Sequence, residues 1–256
     1  MPIIWLVVIV LVLAAVGYVL GRGRALASTG GDARILHSLP SYYGANVSLA
    51  TGIPAFGALA LWLLIQPAWI ENQISVNIPA SAIPEGGSLS LVMSDVQRVA
   101  NGLDAAVEQG AMSEADASSI RTEFTDVRQR LGEVGVALGS NVAPPILLAA
   151  QQYRALSSTG AIWMTVDVIG LAIAGFASSI FITNGSFRAR NQVERVILAL
   201  LIVAASIAIL TTVGIVLSML FETRNFFSQY SWTSFFFGLE WAPDFRGNSN
   251  LSIIPL

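Results

Sequence analysis

The chain has 256 residues, 54% of them hydrophobic and only 11% charged, a mixture far from that of a soluble globular domain. All 13 basic residues are arginine and cysteine is absent, which excludes a disulfide framework, thiolate metal sites, a lysine Schiff base and a Walker-type phosphate lysine. The net charge of −3 says little about partners, and no nucleic-acid partner is expected.

The first long apolar run is Ile3 to Leu20. About 20 mostly apolar residues, rising 1.5 Å each, cross a hydrocarbon core. By that measure Ile3 to Leu20, Val47 to Ile65 (reaching toward Ile70), Ala161 to Thr183 and Val196 to Leu220 are all membrane spans. Lipid supplies no partner for backbone N–H and C=O groups, and the runs have no period-two alternation, so they are helices rather than barrel strands. Ala25-Leu26-Ala27 resembles a signal-peptidase site, yet the arginines follow the first run instead of preceding it. The run therefore reads as a retained anchor.

Arg22, Arg24 and Arg34, with the single histidine His37, lie between the first two runs, and Arg188, Arg190 and Arg195 lie between the last two. The positive-inside rule makes these six arginines the topology determinants and puts both short loops in the cytoplasm. The amino terminus, residues 71–160 and the tail after Leu220 are then extracytoplasmic. His37 sits beside Ser38 and Pro40 as a juxtamembrane surface residue. The glycine-rich pieces Gly21-Arg22-Gly23 and Gly30-Gly31 read as loop. Within the second run Pro54, flanked by Gly52 and Gly57, predicts a kink or a local break.

The extracytoplasmic stretch contains two helical patterns. Leu89, Val92, Val96, Val99, Leu103 and Val107 make one apolar stripe, followed by Gly110 as a C-cap. Ser113 with Asp116 begins a second helix, whose stripe is Ile120, Phe124, Val127, Leu131, Val134 and Leu138. The two predict an antiparallel hairpin, with Glu108, Glu114, Glu123, Arg121, Arg128 and Arg130 in solvent. Gly139 to Pro145 ends it, and Pro145 starts a helix running past Tyr153 into the third span. The hairpin is a small solvated bundle or a docking surface for an extracytoplasmic partner.

Asp167 is the one acidic residue inside a predicted span, and an ionisable group at membrane depth is a functional candidate by default. It lies close to the outer end of its run, where a hydrogen bond from Thr165 or a water satisfies it. Gly170 and Ala174, with Gly175 and Ala177 nearby, form a small-residue face suited to close helix packing. After the fourth span, Phe221, Phe226, Phe227, Tyr230, Trp232, Phe235, Phe236, Phe237 and Trp241 crowd one segment. This predicts an interfacial elbow. The terminal Ile253-Ile254-Pro255-Leu256 looks like the beginning of another apolar segment, so the chain is expected to be a fragment.

No catalytic constellation is present. A lone histidine, the lack of G-x-x-x-x-G-K-[ST] and the lack of clustered ligands predict no enzyme, no metal and no cofactor. The fold expected is an all-α membrane protein. Its segments are 1–70 (two spans), 71–160 (the extracytoplasmic region), 161–220 (two spans) and 221–256 (the aromatic elbow).

Four stretches carry a resemblance. They are Phe187-Arg188-Ala189-Arg190-Asn191-Gln192-Val193-Glu194-Arg195, then Ile209 through Val216, then Phe221-Glu222, and finally Phe235-Phe236-Phe237-Gly238-Leu239-Glu240-Trp241-Ala242-Pro243. The opening Leu36-His37-Ser38-Leu39-Pro40 with Tyr42-Tyr43-Gly44 is similar as well. Together they resemble the amino-terminal part of the long-form PstC-like permeases of bacterial phosphate ABC importers. The resemblance implies a multi-pass protein of the bacterial cytoplasmic membrane, in contact with lipid. It implies as partners a second permease subunit, two ATPase copies that hydrolyse ATP, and an extracytoplasmic phosphate-binding protein. The transport core it implies lies downstream, so no substrate-binding residue transfers to this chain. A sensor or receptor module with an extracytoplasmic helical domain is the alternative, told apart by whether the gene continues into further spans or into a soluble signalling domain.

Overall fold

A computed structural model describes residues 2–79, 88–121, 142–244 and 250–255, together with Val127, Gly132 and Gly135. The described residues form an all-α membrane protein in which four helices are long and apolar enough to cross a bilayer. They divide into two units, Met1–Val193 and Glu194–Leu256.

In the first unit, α1 (Ile3–Ala27) packs along α2 (Pro40–Ser75), and both pack on α5 (Pro144–Ile182). α1 buries only a narrow stripe, Leu6, Val10, Ala14, Gly17, Gly21 and Ala25. The spacing of four, four, three, four and four keeps these residues on one side of a 3.6-residue helix. Two of them are glycines because α2 leaves no room for more. A Cβ on Gly21 would come within 2.9 Å of the Tyr43 carbonyl oxygen, and one on Gly44 within 2.6 Å of the Tyr18 carbonyl oxygen. Gly21-Arg22-Gly23 is thus the last part of α1 and not loop, because close packing rather than a turn calls for Gly21. Gly30 and Gly31 do turn the chain, at φ 65° and 92°, a region that suits residues without a Cβ.

α2 continues through Pro54 and Pro67 without a break, so the predicted local break is absent. Its 36 residues give a rod of about 54 Å, well beyond a hydrocarbon core of about 30 Å. The excess carries Ile70 and Ile74 into a second core.

That second core lies at the end away from the arginine loops. α3 (Leu89–Glu108) buries Val92, Met93, Val96, Val99, Ala100, Gly102, Leu103 and Ala106. Its stripe meets Leu147, Ala149 and Ala150 of α5 and the end of α2. α4 (Glu114–Ser119) starts as predicted, with Ser113 Oγ accepting from the Asp116 backbone N–H at 3.1 Å. It stops at Ser119, where Ile120 turns to φ −58°, ψ 140°, so the second helix does not run on from Ser113 as expected. The Ser118 and Ser119 hydroxyls both donate to the Ala115 carbonyl, giving the backbone a local competitor to helical bonding. Gln151 of α5 then takes up the Ala117 and Ile120 carbonyls at 3.2 and 3.0 Å. The rest of the predicted stripe, Phe124, Leu131, Val134 and Leu138, with Glu123, Arg128, Arg130 and the stop before Pro144, lies outside the described residues. The isolated Val127 is buried in this same core.

α6 (Ala189–Gln229) begins in the first unit and supplies most of the second. It is apolar on all sides through its centre, the composition of a lipid-embedded helix. In the second unit Phe226, Phe227, Tyr230, Phe235 and Phe236 pack ring on ring, with centroids 5.1–6.0 Å apart. The mostly edge-on contacts suit the aromatic quadrupole and fold α7 (Trp232–Phe237) back on the end of α6. The Ala242–Asn250 bridge and the bond from the Leu251 N–H to the Tyr230 hydroxyl, 2.9 Å, close the loop.

Candidate functional site

Three side-chain constellations stand out in the first unit. One is at the arginine-loop end. The backbone N–H of His37 donates to the Gly185 carbonyl at 3.4 Å, and the Tyr43 hydroxyl donates to the Phe187 carbonyl at 2.9 Å. Ser38 Oγ accepts from the Arg190 backbone N–H at 3.1 Å, so a residue of the first loop caps the start of α6, whose first-turn N–H groups have no partner within the helix. The two arginine-bearing loops therefore sit together at one end, as the charge pattern requires. Arg22, Arg24, Arg34, Arg188 and Arg190 are exposed there, and Arg195, also exposed, follows on α6 in the second unit. Tyr43 is fully buried beneath them, a role sequence reading missed because Tyr43 lies ahead of the Val47 run, where no periodic signal marks it.

The second constellation is an ion-pair bolt in the outer core. Arg154, two turns ahead of the apolar run of α5, is only 8% exposed and donates from Nε to Asp104 Oδ1 at 2.7 Å and from Nη2 to Glu114 Oε2 at 3.0 Å. It ties α5 to α3 and to the first turn of α4. Burial alone would lower its pKa, but the hydrogen bonds and charges of Asp104 and Glu114 outweigh that and raise it. Arg154 thus stays charged. Glu114, Glu108 and Arg121 are exposed as expected, yet Glu114 also holds this bolt. An arginine close before an apolar run, with carboxylates on a neighbouring helix, was the signal available for it.

The third is a groove of about 590 Å³ between α2 and α5, lined by Leu61, Trp62, Gln66, Trp69, Trp163 and Asp167 among others. Trp62 Nε1–H donates to Gln66 Oε1 at 2.8 Å, and Gln66 Nε2 donates to the Ser157 carbonyl at 3.4 Å. Gly160 leaves the space that the Gln66 amide fills. Asp167 faces this groove. Thr165 does not serve it as expected, because the Thr165 hydroxyl donates to the Ala161 carbonyl at 2.8 Å. The i−4 carbonyl is the nearest acceptor for a helical threonine, and it wins.

The predicted packing face of Gly170 and Ala174 is exposed, and a Cβ on Gly170 would meet nothing within 4 Å. α5 instead turns Met164, Val168, Ala172 and Ser179 inward, with Gly175 against α2. Asn46 of α2 donates to Ser179 Oγ at 2.8 Å beside it. Gly17 and Gly21, a small-x-x-x-small pair, were the motif that marked the other close crossing. Among the described residues no three His, Asp or Glu side chains come together as a metal site.

Compared with known proteins, the chain matches at residues 7–177 a family model described as a phosphate ATP-binding cassette transporter. That stretch runs from α1 through most of α5, including the outer helical region, and stops short of the segment from Phe187 onward. No curated protein and no solved structure gives a match.

Proposed function

The chain belongs to the phosphate ATP-binding cassette transporter family, and on that premise we propose that it is the amino-terminal membrane module of a PstC-like permease in a phosphate importer. Family membership is the observation that carries this reading. Four apolar helices suit the membrane part of such a system, and the chain lacks the phosphate-cradling lysine motif an ATPase subunit would need. ATP hydrolysis then belongs to a separate subunit, and this chain is not an enzyme.

In this proposal the protein spans the bacterial inner membrane with its amino terminus outside. Both arginine loops face the cytoplasm, and α3 and α4 lie outside near the phosphate-binding protein. A phosphate path needs arginines, hydroxyls or helix amino termini aimed into a cavity. The central apolar runs of the four spans contain no arginine. The module therefore assembles, braces or regulates a path formed by other segments and by a second permease subunit.

The test is isolation of the full-length tagged protein from native membranes, paired with phosphate uptake by cells lacking the gene. Co-isolation of an ATPase and a second permease, with uptake at low phosphate reduced by roughly an order of magnitude, is the expected result. Normal uptake without those partners would overturn the assignment.

A further inference from the structure

We propose that the groove between α2 and α5 binds a phospholipid with a primary-amine headgroup. Its headgroup lies at the level of the indoles of Trp62, Trp69 and Trp163 with the ammonium reaching inward to Asp167, and an acyl chain passes Leu61 and Ala58 toward the bilayer centre. The inference rests on the fold alone and stands whether or not the protein serves phosphate import.

The groove is open at the surface of the first unit. Leu61, Ile65 and Trp163 are 59%, 61% and 62% exposed along helices whose apolar flanks face the bilayer. Tryptophan concentrates at headgroup depth, so the three indoles mark the headgroup level on this side. Asp167 follows Trp163 by one turn, on the same face of α5.

Asp167 has no hydrogen-bond or ion-pair partner among the described residues, and its neighbour Thr165 is committed to Ala161. A carboxylate just below the headgroups is costly unless a cation or donor reaches it. The described residues of the first unit supply none there. α2 carries no arginine, and the only arginine of α5, Arg154, is held by Asp104 and Glu114. A lipid ammonium is a cation the bilayer offers, with three N–H donors for the carboxylate where a choline group has none. Indole faces attract the same charge.

The test uses the 256-residue chain in nanodiscs, with Trp5, Trp232 and Trp241 changed to Phe so that its fluorescence reports only the groove. Phosphatidylethanolamine and phosphatidylcholine, each spin-labelled near the top of one acyl chain, are titrated into a phosphatidylcholine disc. Half-maximal quenching is expected at an about fivefold lower fraction of the ethanolamine lipid. The preference should vanish in Asp167→Asn and persist in Asp167→Glu. If Asp167→Asn folds poorly, Thr159→Cys, which adds a unique thiol on the groove wall, is blocked with a bulky maleimide, and the block should abolish the preference. Equal quenching by the two lipids, or a preference that survives Asp167→Asn or the blocked thiol, overturns the proposal. So does a quantitative crosslink from the Thr159→Cys variant to another polypeptide in native membranes, which would put protein in the groove.

Discussion

Gly175 of α5 lies so close to Ala50 of α2 that a methyl group in place of its hydrogen would overlap the Ala50 carbonyl oxygen. That oxygen is the one whose helical donor would be residue 54, and Pro54 has no N–H. The proline thus frees a carbonyl where the glycine lets a neighbouring helix come near it, and a Cα–H of Gly175 is a weak donor for such an oxygen. Instead of breaking α2, Pro54 marks a contact point.

Gly175→Ala is accordingly expected to lower stability by about 1–3 kcal/mol, since two helix backbones cannot yield as a flexible side chain can. Gly170→Ala, on the open face, should stay within about 0.5 kcal/mol of the parent. Thermal melts in mild detergent distinguish the two, and equal losses would remove Gly175 from the helix crossing.

Tyr43→Phe deletes the donor to the Phe187 carbonyl while keeping the ring, and Ser38→Ala deletes the cap on Arg190. Each should cost about 1 kcal/mol. The damage should be local, seen as faster hydrogen exchange at residues 185–190 with the outer core unchanged. Unaltered exchange there would mean that the loops are not stitched by these bonds.

Arg154→Ala should loosen α3 and α4 from α5, by about 1–3 kcal/mol. Asp104 and Glu114 side chains are 54% and 71% exposed, so they regain water when the arginine goes, which keeps the loss below that of a fully buried pair. Arg154→Lys should recover only part of it, because one ammonium cannot match two carboxylates from separate guanidinium nitrogens. Limited proteolysis between residues 88 and 121 reads the effect. Full rescue by lysine would reduce the bolt to simple charge attraction.

Leu103→Asp places a charge at a fully buried position of α3 and should destabilise the outer core on the order of 3 kcal/mol or more. The readout is protease resistance of that region, with the membrane helices as internal control. Resistance equal to the parent's would contradict the packing of α3 on α5.

Reporter fusions after Arg24 and after Arg190 should report the cytoplasm, and a fusion at Gly110 the opposite side. A cytoplasmic signal at Gly110 would reverse the orientation proposed above.

Composition and run length by themselves determined that this chain is helical and membrane-embedded, because a lipid solvent leaves the backbone a single economical conformation and demands apolar side chains for about 20 residues. The clustering of arginines in two loops likewise required those loops to share one end, and α1, α2 and α5 meet there as that pattern demands. The stripe of α3 was legible from its spacing too. Its full cover was not: apolar periodicity says that Leu103 must be covered, never by what, and α5 and the end of α2 join Val127 and Ile120 of the second stripe in that core. The same blindness hid the Arg154 bolt and left open which of Gly170 and Gly175 makes the helix crossing. Which small residue lets two backbones touch depends on the rotation of one helix against another, a relation between distant segments that tertiary packing alone decides.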